Sequence, residues 1–338
     1  MSAPGIGPAI GVVVIGRNEG DRLKASLASL KRLKHVVYVD SGSTDGSQEF
    51  ARGLGITVVE LPVPPKFTAA RARNAGIEAL LNAAPKLTKI QFVDGDCTVE
   101  PDWIETASAA LNADPHLGGV FGRRREVAPE RSIYNRMCDV EWNVPVGPTH
   151  GTGGDAMFRV EALKAVAGYD PSLIAGEEPD MCLRMSRHGW RFARIDAPMT
   201  RHDAQITRFG QWWRRAKRAG FAAASHVARH REGSLPGDVG QVKRMLIWGA
   251  AVPALFVLSI LLALAVPRLA PIALLVPVLL MLQWLRLSLA ERRTMPNWPL
   301  ALQAGGLRVL HQFAALAGLL SYWRGRLLGK ERGLIEYK

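Results

Sequence analysis

Over its first hundred residues the chain repeats one pattern: a short β-branched run, a polar turn, then apolar residues at helical spacing. Residues 10–15 (Ile-Gly-Val-Val-Val-Ile) are apolar on both faces, as a strand buried on both sides of a parallel sheet must be. Leu23, Leu27 and Leu30 follow at helical spacing and predict a helix over 21–33. Strands at 35–39, 56–60 and 89–93 and helices at 45–54 and 68–81 continue the alternation. Such an order predicts an α/β fold, a mostly parallel sheet with helices on both faces.

Ligands bind such sheets at the carboxyl ends of their strands. Acids and glycines gather there. Arg17, Asn18 and Glu19 follow the first strand, residues 40–45 the second, and Asp94-Gly95-Asp96 the fourth. Two carboxylates flanking a glycine can reach one hard cation, although Asp-Gly-Asp is also a common turn. Arg71, Arg73 and Asn74 open the helix between the two acidic turns, where a pyrophosphate would be well placed. Gly151-Thr152-Gly153-Gly154-Asp155 precedes a short strand at 156–160. It allows close approach of backbone to a sugar or acceptor, or simply a tight turn. His202 can be a third metal ligand or a structural histidine.

The composition changes near residue 245. Residues 245–266 carry no charge and are long enough to cross a bilayer; 269–285 are also uncharged and somewhat shorter. Lys243 and Arg244 precede the pair, and Arg286, Arg292 and Arg293 follow it. The positive-inside rule then puts both outer flanks on the cytoplasmic side. A stretch at 300–323, interrupted by Arg308 and His311, reads as an interfacial amphipathic helix. A third span there would carry Arg324, Arg326, Lys330 and Arg332 outward, against the same rule. Residues 206–231 form a basic stretch carrying Phe209, Trp212, Trp213 and Phe221, suited to an anionic membrane surface or to closing over a site. The N-terminus lacks the basic region of a signal peptide. The expected division is therefore 1–203 as a sheet domain, 204–244 as a basic interfacial region and 245–338 as a membrane region.

The net charge of +13 calls for an anionic partner. Nucleic acid would account for the charge but not for two apolar runs, so no nucleic-acid partner is expected. Three cysteines without a CxxC pair predict free thiols rather than a disulfide framework or zinc site. Gly16-Arg-Asn-Glu-Gly20 does not supply the glycine fingerprint of a dinucleotide-dependent oxidoreductase.

Six segments, taken in order, carry a resemblance. They are Val13-Val-Ile-Gly-Arg-Asn-Glu19, Val39-Asp-Ser-Gly-Ser-Thr-Asp45, Ala70-Arg-Ala-Arg-Asn-Ala-Gly76, Phe92-Val-Asp-Gly-Asp96, Gly153-Gly-Asp-Ala-Met-Phe158 and Gly176-Glu-Glu-Pro-Asp-Met-Cys-Leu-Arg184. Over roughly residues 10–225 the chain resembles the family 2 glycosyltransferases, whose GT-A fold is a Rossmann-like sheet. The resemblance implies an inverting transfer of a sugar, in the hexosyltransferase class, from a nucleotide-diphosphate sugar (UDP-sugars favoured) to an acceptor hydroxyl. It implies a divalent cofactor, Mn2+ or Mg2+. Asp40 matches the acid that contacts the base, Arg71 a residue near the diphosphate, and Asp94 and Asp96 the acids for ribose and metal. Glu178 matches the catalytic base, where the family usually has aspartate, and Glu177 would position a sugar while Asp180 caps the helix. Asn18, Glu19, Gly153, Gly154 and Asp155 join the substrate-facing set. Gln211-Trp-Trp-Arg214-Arg215 resembles the family's Gln-x-x-Arg-Trp element with Arg215 replacing the tryptophan, which argues against processive polymerisation. The apolar runs add an inner-membrane location with the catalytic domain on the cytoplasmic face, membrane lipids as partners, and a lipid-linked saccharide or glycolipid acceptor. A nucleotidyltransferase, or a non-catalytic scaffold retaining the fold, is the competing reading.

Overall fold

A computed structural model of the chain describes residues 10–62, 67–230 and 233–329. The N-terminal residues considered for a leader, and Lys330 and Arg332, lie outside these. Two compact units are present: residues up to Ala128 with Glu141–Gln205, and Pro129–Val140 with the residues from Ile206 onward.

The first unit begins as the alternation predicts, with β1 (Ile10–Gly16), α1 (Asp21–Ser29), β2 (His35–Asp40), α2 (Ser47–Gly53), β3 (Thr57–Glu60), α3 (Ala69–Ala83) and β4 (Lys89–Asp94). β3, β2, β1 and β4 pair in that order, all parallel. Val12, Val13 and Val14 of β1 have no exposed surface, because helices cover both faces. Beyond β4 the sheet is mixed. β5 (Cys97–Val99), α4 (Trp103–Ala113), β6 (Leu117–Glu126), β7 (Gly147–Thr149), β8 (Ala156–Arg159), α6 (Val160–Ala165), α7 (Glu177–Arg187) and β9 (Arg191–His202) complete it, whereas α5 (Ile133–Glu141), between β6 and β7 in the chain, falls almost wholly in the second unit. β8 runs antiparallel between β4 and β6, and β9 runs parallel to β6 but antiparallel to β5 and β7. The reversal follows from the connection: β8 is entered through the glycine-rich turn rather than through a crossover helix.

Register places the polar residues. Phe92 pairs with Ala156, so the ends of β4 and β8 bring Asp94 beside Asp155. His202, at the end of β9, is opposite Cys97 of β5 and beside Glu126 of β6.

The second unit is helical: α8 (Phe209–His230), α9 (Pro236–Arg244), a π-helical stretch (Met245–Ala251), α10 (Val252–Ala265), α11 (Ala270–Ala273), α12 (Leu275–Glu291) and α13 (Trp298–Leu327). Asn135 and Ser132 bind the backbone of Ile206 and tie residues 129–140 to the start of this unit. Two continuous helical segments, Gly237–Ala265 and Pro267–Glu291, are long and apolar enough to cross a membrane. They extend beyond the expected spans because the helix runs on through Lys243 and Arg244. Leu255, Leu258, Leu261, Leu274, Leu275 and Leu282 on them are exposed.

α13 differs from the expected surface helix. Its buried residues run its whole length, from Ala301 to Tyr322, and it packs on both α8 and α12. Asn297 caps it by accepting the Leu300 N–H at 3.0 Å. Trp284 donates to the Leu302 carbonyl at 2.9 Å, and Arg308 pairs with Glu291 at 2.8 Å. Against α8 the approach is backbone to backbone. A Cβ on Gly220 would overlap the Ala315 carbonyl, and one on Gly318 would overlap that of Lys217.

Gly318→Ala should therefore lower the thermal unfolding midpoint of the detergent-solubilised protein, at a cost of about 1–3 kcal/mol for overpacking. Gly210→Ala in the same helix pair, where a Cβ meets nothing, should leave it unchanged or raise it. Equal midpoints for both variants would contradict the close packing.

Candidate active site

The loops after β1 and β2 are sewn together. Asn18 adopts φ +54°, which its short amide tolerates. Its Oδ1 accepts the Thr44 N–H at 2.8 Å, and its own N–H donates to Ser43 Oγ at 2.9 Å. Glu19 is buried and pairs with Arg22 at 2.7 Å. Asp40 is fully buried. Its Oδ1 accepts the Tyr38 hydroxyl at 2.7 Å, and its Oδ2 accepts from the Gly42 N–H, the Ser43 N–H and Gln48 Nε2, each at 2.8 Å. Burial and the bond to Asp40 push the Tyr38 phenol far up, so it stays a donor. Asp40 thus shapes the turn after β2 from beneath, with no exposed surface of its own.

Arg73 of α3 forms the centre. It is 2% exposed, lies over the Tyr169 ring, and spreads its guanidinium among three carboxylates. Nη2 meets Asp94 Oδ1 at 3.1 Å, while Nη1 meets Glu177 Oε1 at 3.0 Å and Glu178 Oε1 at 2.9 Å. Arg124 of β6 holds the other oxygen of Asp94 at 2.9 Å. Beneath them Asp155 is buried. It accepts the Asp94 N–H at 2.9 Å, Arg124 Nε at 3.0 Å and the Thr200 hydroxyl at 2.7 Å.

This arrangement drives two carboxylates apart. Burial works against the charge of Asp94, but Arg73 and Arg124 overcome it and hold the group well below the usual carboxylate range. Glu178 moves the other way. Burial, then the neighbouring Glu177, push it up to about 7 despite Arg73. The positive end of α7 therefore does not dominate, although a carboxylate at a helix start is ordinarily held in its charged form. Two acids with opposed shifts on one buried cation form the pattern of an acid–base site.

A second cluster adjoins. His202 Nε2 is 3.4 Å from Asp96 Oδ1, and Cys97 Sγ lies with them in a group whose ligand atoms are all within 4.8 Å of one another. Burial pushes the Cys97 thiol up. The remaining donors, a carboxylate oxygen and an imidazole nitrogen, fit a divalent cation such as Mn2+. His202 Nδ1 is buried and makes no hydrogen bond. Asp94 and Asp96, expected to share one ion, keep different company. Asp94 also neighbours Cys97 and Asp155 as ligand-type atoms, but Arg124 already holds both acids.

The family model for glycosyl transferase family 2 matches residues 11–166, and that for glycosyl transferase family group 2 matches residues 131–288. Over these residues the chain is similar to the family 2 glycosyltransferases. It is 27% identical over 274 residues to the pre-mycofactocin glycosyltransferase of Mycobacterium tuberculosis, covering 76% of this chain and 54% of that protein. It is 28% identical over 185 residues to the succinoglycan biosynthesis protein ExoA of Rhizobium meliloti, covering 52% and 55%. The chain thus spans about half the length of the curated relatives it matches. A mannosyltransferase from Pyrobaculum calidifontis, solved with GDP-Man and Mn2+, shares its fold with a TM-score of 0.53 at 18% identity, covering 95% of this chain and 91% of that one.

In this chain several expected residues serve other partners. Glu177 is buried against Arg73 rather than open to a sugar. Asp180 does not cap α7, which starts at Gly176 with no side-chain cap; it pairs with Arg184 at 2.8 Å. Asp155 is covered and orients Asp94 and Arg124, so it is not placed to touch substrate. Arg71 reaches the Pro62 carbonyl at 3.3 Å, beside the start of α3 that Thr68 caps. Gln211 turns back to accept the Thr207 and Arg208 N–H groups at 2.9 and 3.0 Å, which caps α8, and Arg214 is exposed on that helix. Both belong to the second unit. Arg124, Glu126, Trp142 and Thr200 were not anticipated. The signal was present in Arg123-Arg124-Arg125-Glu126, an abrupt charged run closing an apolar strand.

Gly154 is fixed by the site: a Cβ there would meet Arg73 Nη2 at 2.7 Å and Asp94 Oδ2 at 2.8 Å, whereas one on Gly153 meets nothing. Gly154→Ala should cut sugar transfer by about 100-fold, the scale of a small misplacement in a catalytic constellation. Gly153→Ala should leave it little changed. Comparing initial rates of the two variants checks this.

Proposed function

We propose that the chain is an inverting, metal-dependent glycosyltransferase that moves a sugar from a nucleotide-diphosphate sugar, a UDP-sugar in the first instance, to an acceptor hydroxyl, with Glu178 as base. One observation carries the reading. Glu178 is raised to about 7 and shares the buried Arg73 with Asp94, whose charge is locked in place. A base with a pKa near neutrality abstracts a hydroxyl proton most effectively at physiological pH.

Glu178 takes the proton as the acceptor oxygen attacks the anomeric carbon. The sugar–phosphate bond breaks on the opposite side, its electron pair leaves with the diphosphate, and the anomeric centre inverts. Arg73 keeps Glu178 and Asp94 at a fixed separation, and Glu177 keeps Arg73 in place. Asp96 and His202 would hold the divalent cation, whose charge offsets that growing on the diphosphate. Glu178 lies in the first turn of α7, as the resemblance implies for the base. Its extra methylene relative to aspartate sets how far it reaches.

Glu178→Gln keeps shape and hydrogen bonding but not basicity, and should lower the transfer rate by about 100-fold or more. Glu178→Asp should retain part of the rate. In the parent, the rate should fall as pH drops through about 7, because protonation of Glu178 removes the base. Parental rates in Glu178→Gln would move the base elsewhere.

The helices Gly237–Ala265 and Pro267–Glu291, with basic residues on both outer flanks, support anchoring in the inner membrane with the catalytic domain on the cytoplasmic face. The acceptor is then a lipid-linked saccharide or a glycolipid in envelope or exopolysaccharide synthesis. The names of the Rhizobium and Mycobacterium relatives fit a saccharide-building role. Reporters inserted after Lys243 and Arg293 should report the cytoplasm, and one after Pro267 the opposite side. A cytoplasmic signal at all three would remove the spans.

A further inference from the structure

Behind His202 lies a carboxylate that the transfer chemistry does not use. Glu126 ends β6 beside His202 in the parallel register of β6 and β9, and its side chain has no exposed surface. Its Oε1 accepts the Ala128 N–H at 3.2 Å and its Oε2 the Ala204 N–H at 3.1 Å. These two backbone bonds fix its orientation. Oε2 is 3.8 Å from His202 Nδ1, which is buried and has no hydrogen bond. On another side, the Trp142 ring contacts the imidazole at 4.7 Å between centroids, 70° apart in plane. Trp142 is itself held by Arg124, whose guanidinium sits 5.4 Å from its ring centroid.

We propose that Glu126 and Trp142 are positioning residues for His202, which hold its imidazole as the Nδ1–H tautomer and aim the Nε2 lone pair beside Asp96 as a ligand for a divalent cation. The argument is one of geometry. Nε2 faces Asp96 at 3.4 Å, so the opposite nitrogen must turn toward Glu126. The gap at Nδ1 exceeds a hydrogen bond by about 1 Å. A small ring movement that closes it would satisfy the buried nitrogen. A histidine ligand is made more basic, and its tautomer fixed, by a carboxylate on its far nitrogen. The Trp142 ring blocks rotation that would exchange the two nitrogens. Cys97 Sγ completes the wall. Asp96 also faces Arg22, at 4.0 Å, so the cation would displace that guanidinium as Asp96's counter-charge.

This inference rests on the metal reading proposed above, and the test separates the two. Mn2+ binding to the purified full chain, without sugar donor, is followed by the loss of the free-ion electron paramagnetic resonance signal. Asp96→Ala and His202→Ala should each weaken it severely. Glu126→Gln, which preserves shape but turns an NH2 toward one of the two backbone N–H groups, should weaken it by about 10- to 100-fold and also lower the metal-free unfolding midpoint, and Trp142→Leu should weaken it less. Parental Mn2+ affinity in Asp96→Ala overturns the metal site and this inference together. Weak binding in His202→Ala with parental affinity in Glu126→Gln overturns the inference alone. Because a variant can fail to fold, nitrogen-15 spectra of histidine-labelled parent with Mg2+ provide a second measurement. The resonance lost in His202→Ala should show a protonated Nδ1 and an unprotonated Nε2, and the opposite tautomer overturns the inference.

Discussion

A single guanidinium, that of Arg73, organises the site. Burying a positive charge costs far more than one surface ion pair returns, and it is tolerated only where several anions converge with good geometry. Here Asp94 comes from the end of β4, and Glu177 and Glu178 from the first turn of α7, more than 80 residues further along the chain. All three meet on the one guanidinium, which lies over the Tyr169 ring. The same charge separates the acids in character. Asp94, gripped also by Arg124, is an anion under all ordinary conditions. Glu178, crowded by Glu177, can gain or lose a proton near neutrality. Two roles arise from identical functional groups through position alone.

The mixed half of the sheet supplies what the parallel half lacks. β1, β2 and β4 end in loops that bind one another, but they carry little that could hold a cation with nitrogen. β9 crosses over to place His202 opposite Cys97 and beside Glu126. β8 reverses to set Asp155 under Asp94, where it takes the backbone N–H and orients Arg124. Asp96, two residues past the end of β4 and directly before β5, then lies beside the histidine.

The parallel strands and their helices were legible because their signal is local: β-branched runs, leucines at helical spacing, and Thr68 capping α3. The six motifs located the loops that form the site. Reversal of β8 was not legible, since a four-residue apolar strand has the same pattern in either direction. Arg124 and Glu126 were missed because their partners, Asp94 and His202, are 30 and 76 residues away. Only the sheet register brings these together. Gln211 illustrates the opposite failure. Its motif suggested ligand contact, yet a glutamine close to the start of a helix can satisfy the free N–H groups there, and this one does. α13 was read as an interfacial amphipathic helix from its interrupting Arg308 and His311; the alanines and glycines by which it packs on α8 and α12 were not weighed.

The contact of α8 with α13 restricts how these helices can move. Gly220 and Gly318 press against the backbone carbonyls of Ala315 and Lys217, one from each helix. Neither helix can roll about its own axis, since every neighbouring face presents a Cβ to the same carbonyl. Nor can one easily ratchet along the other, because the two glycines would leave register together. Helices of 22 and 30 residues clasped this way behave mechanically as one beam. A pull on the basic face of α8 is carried into α13 as a rigid tilt, without being absorbed by side chains along the way.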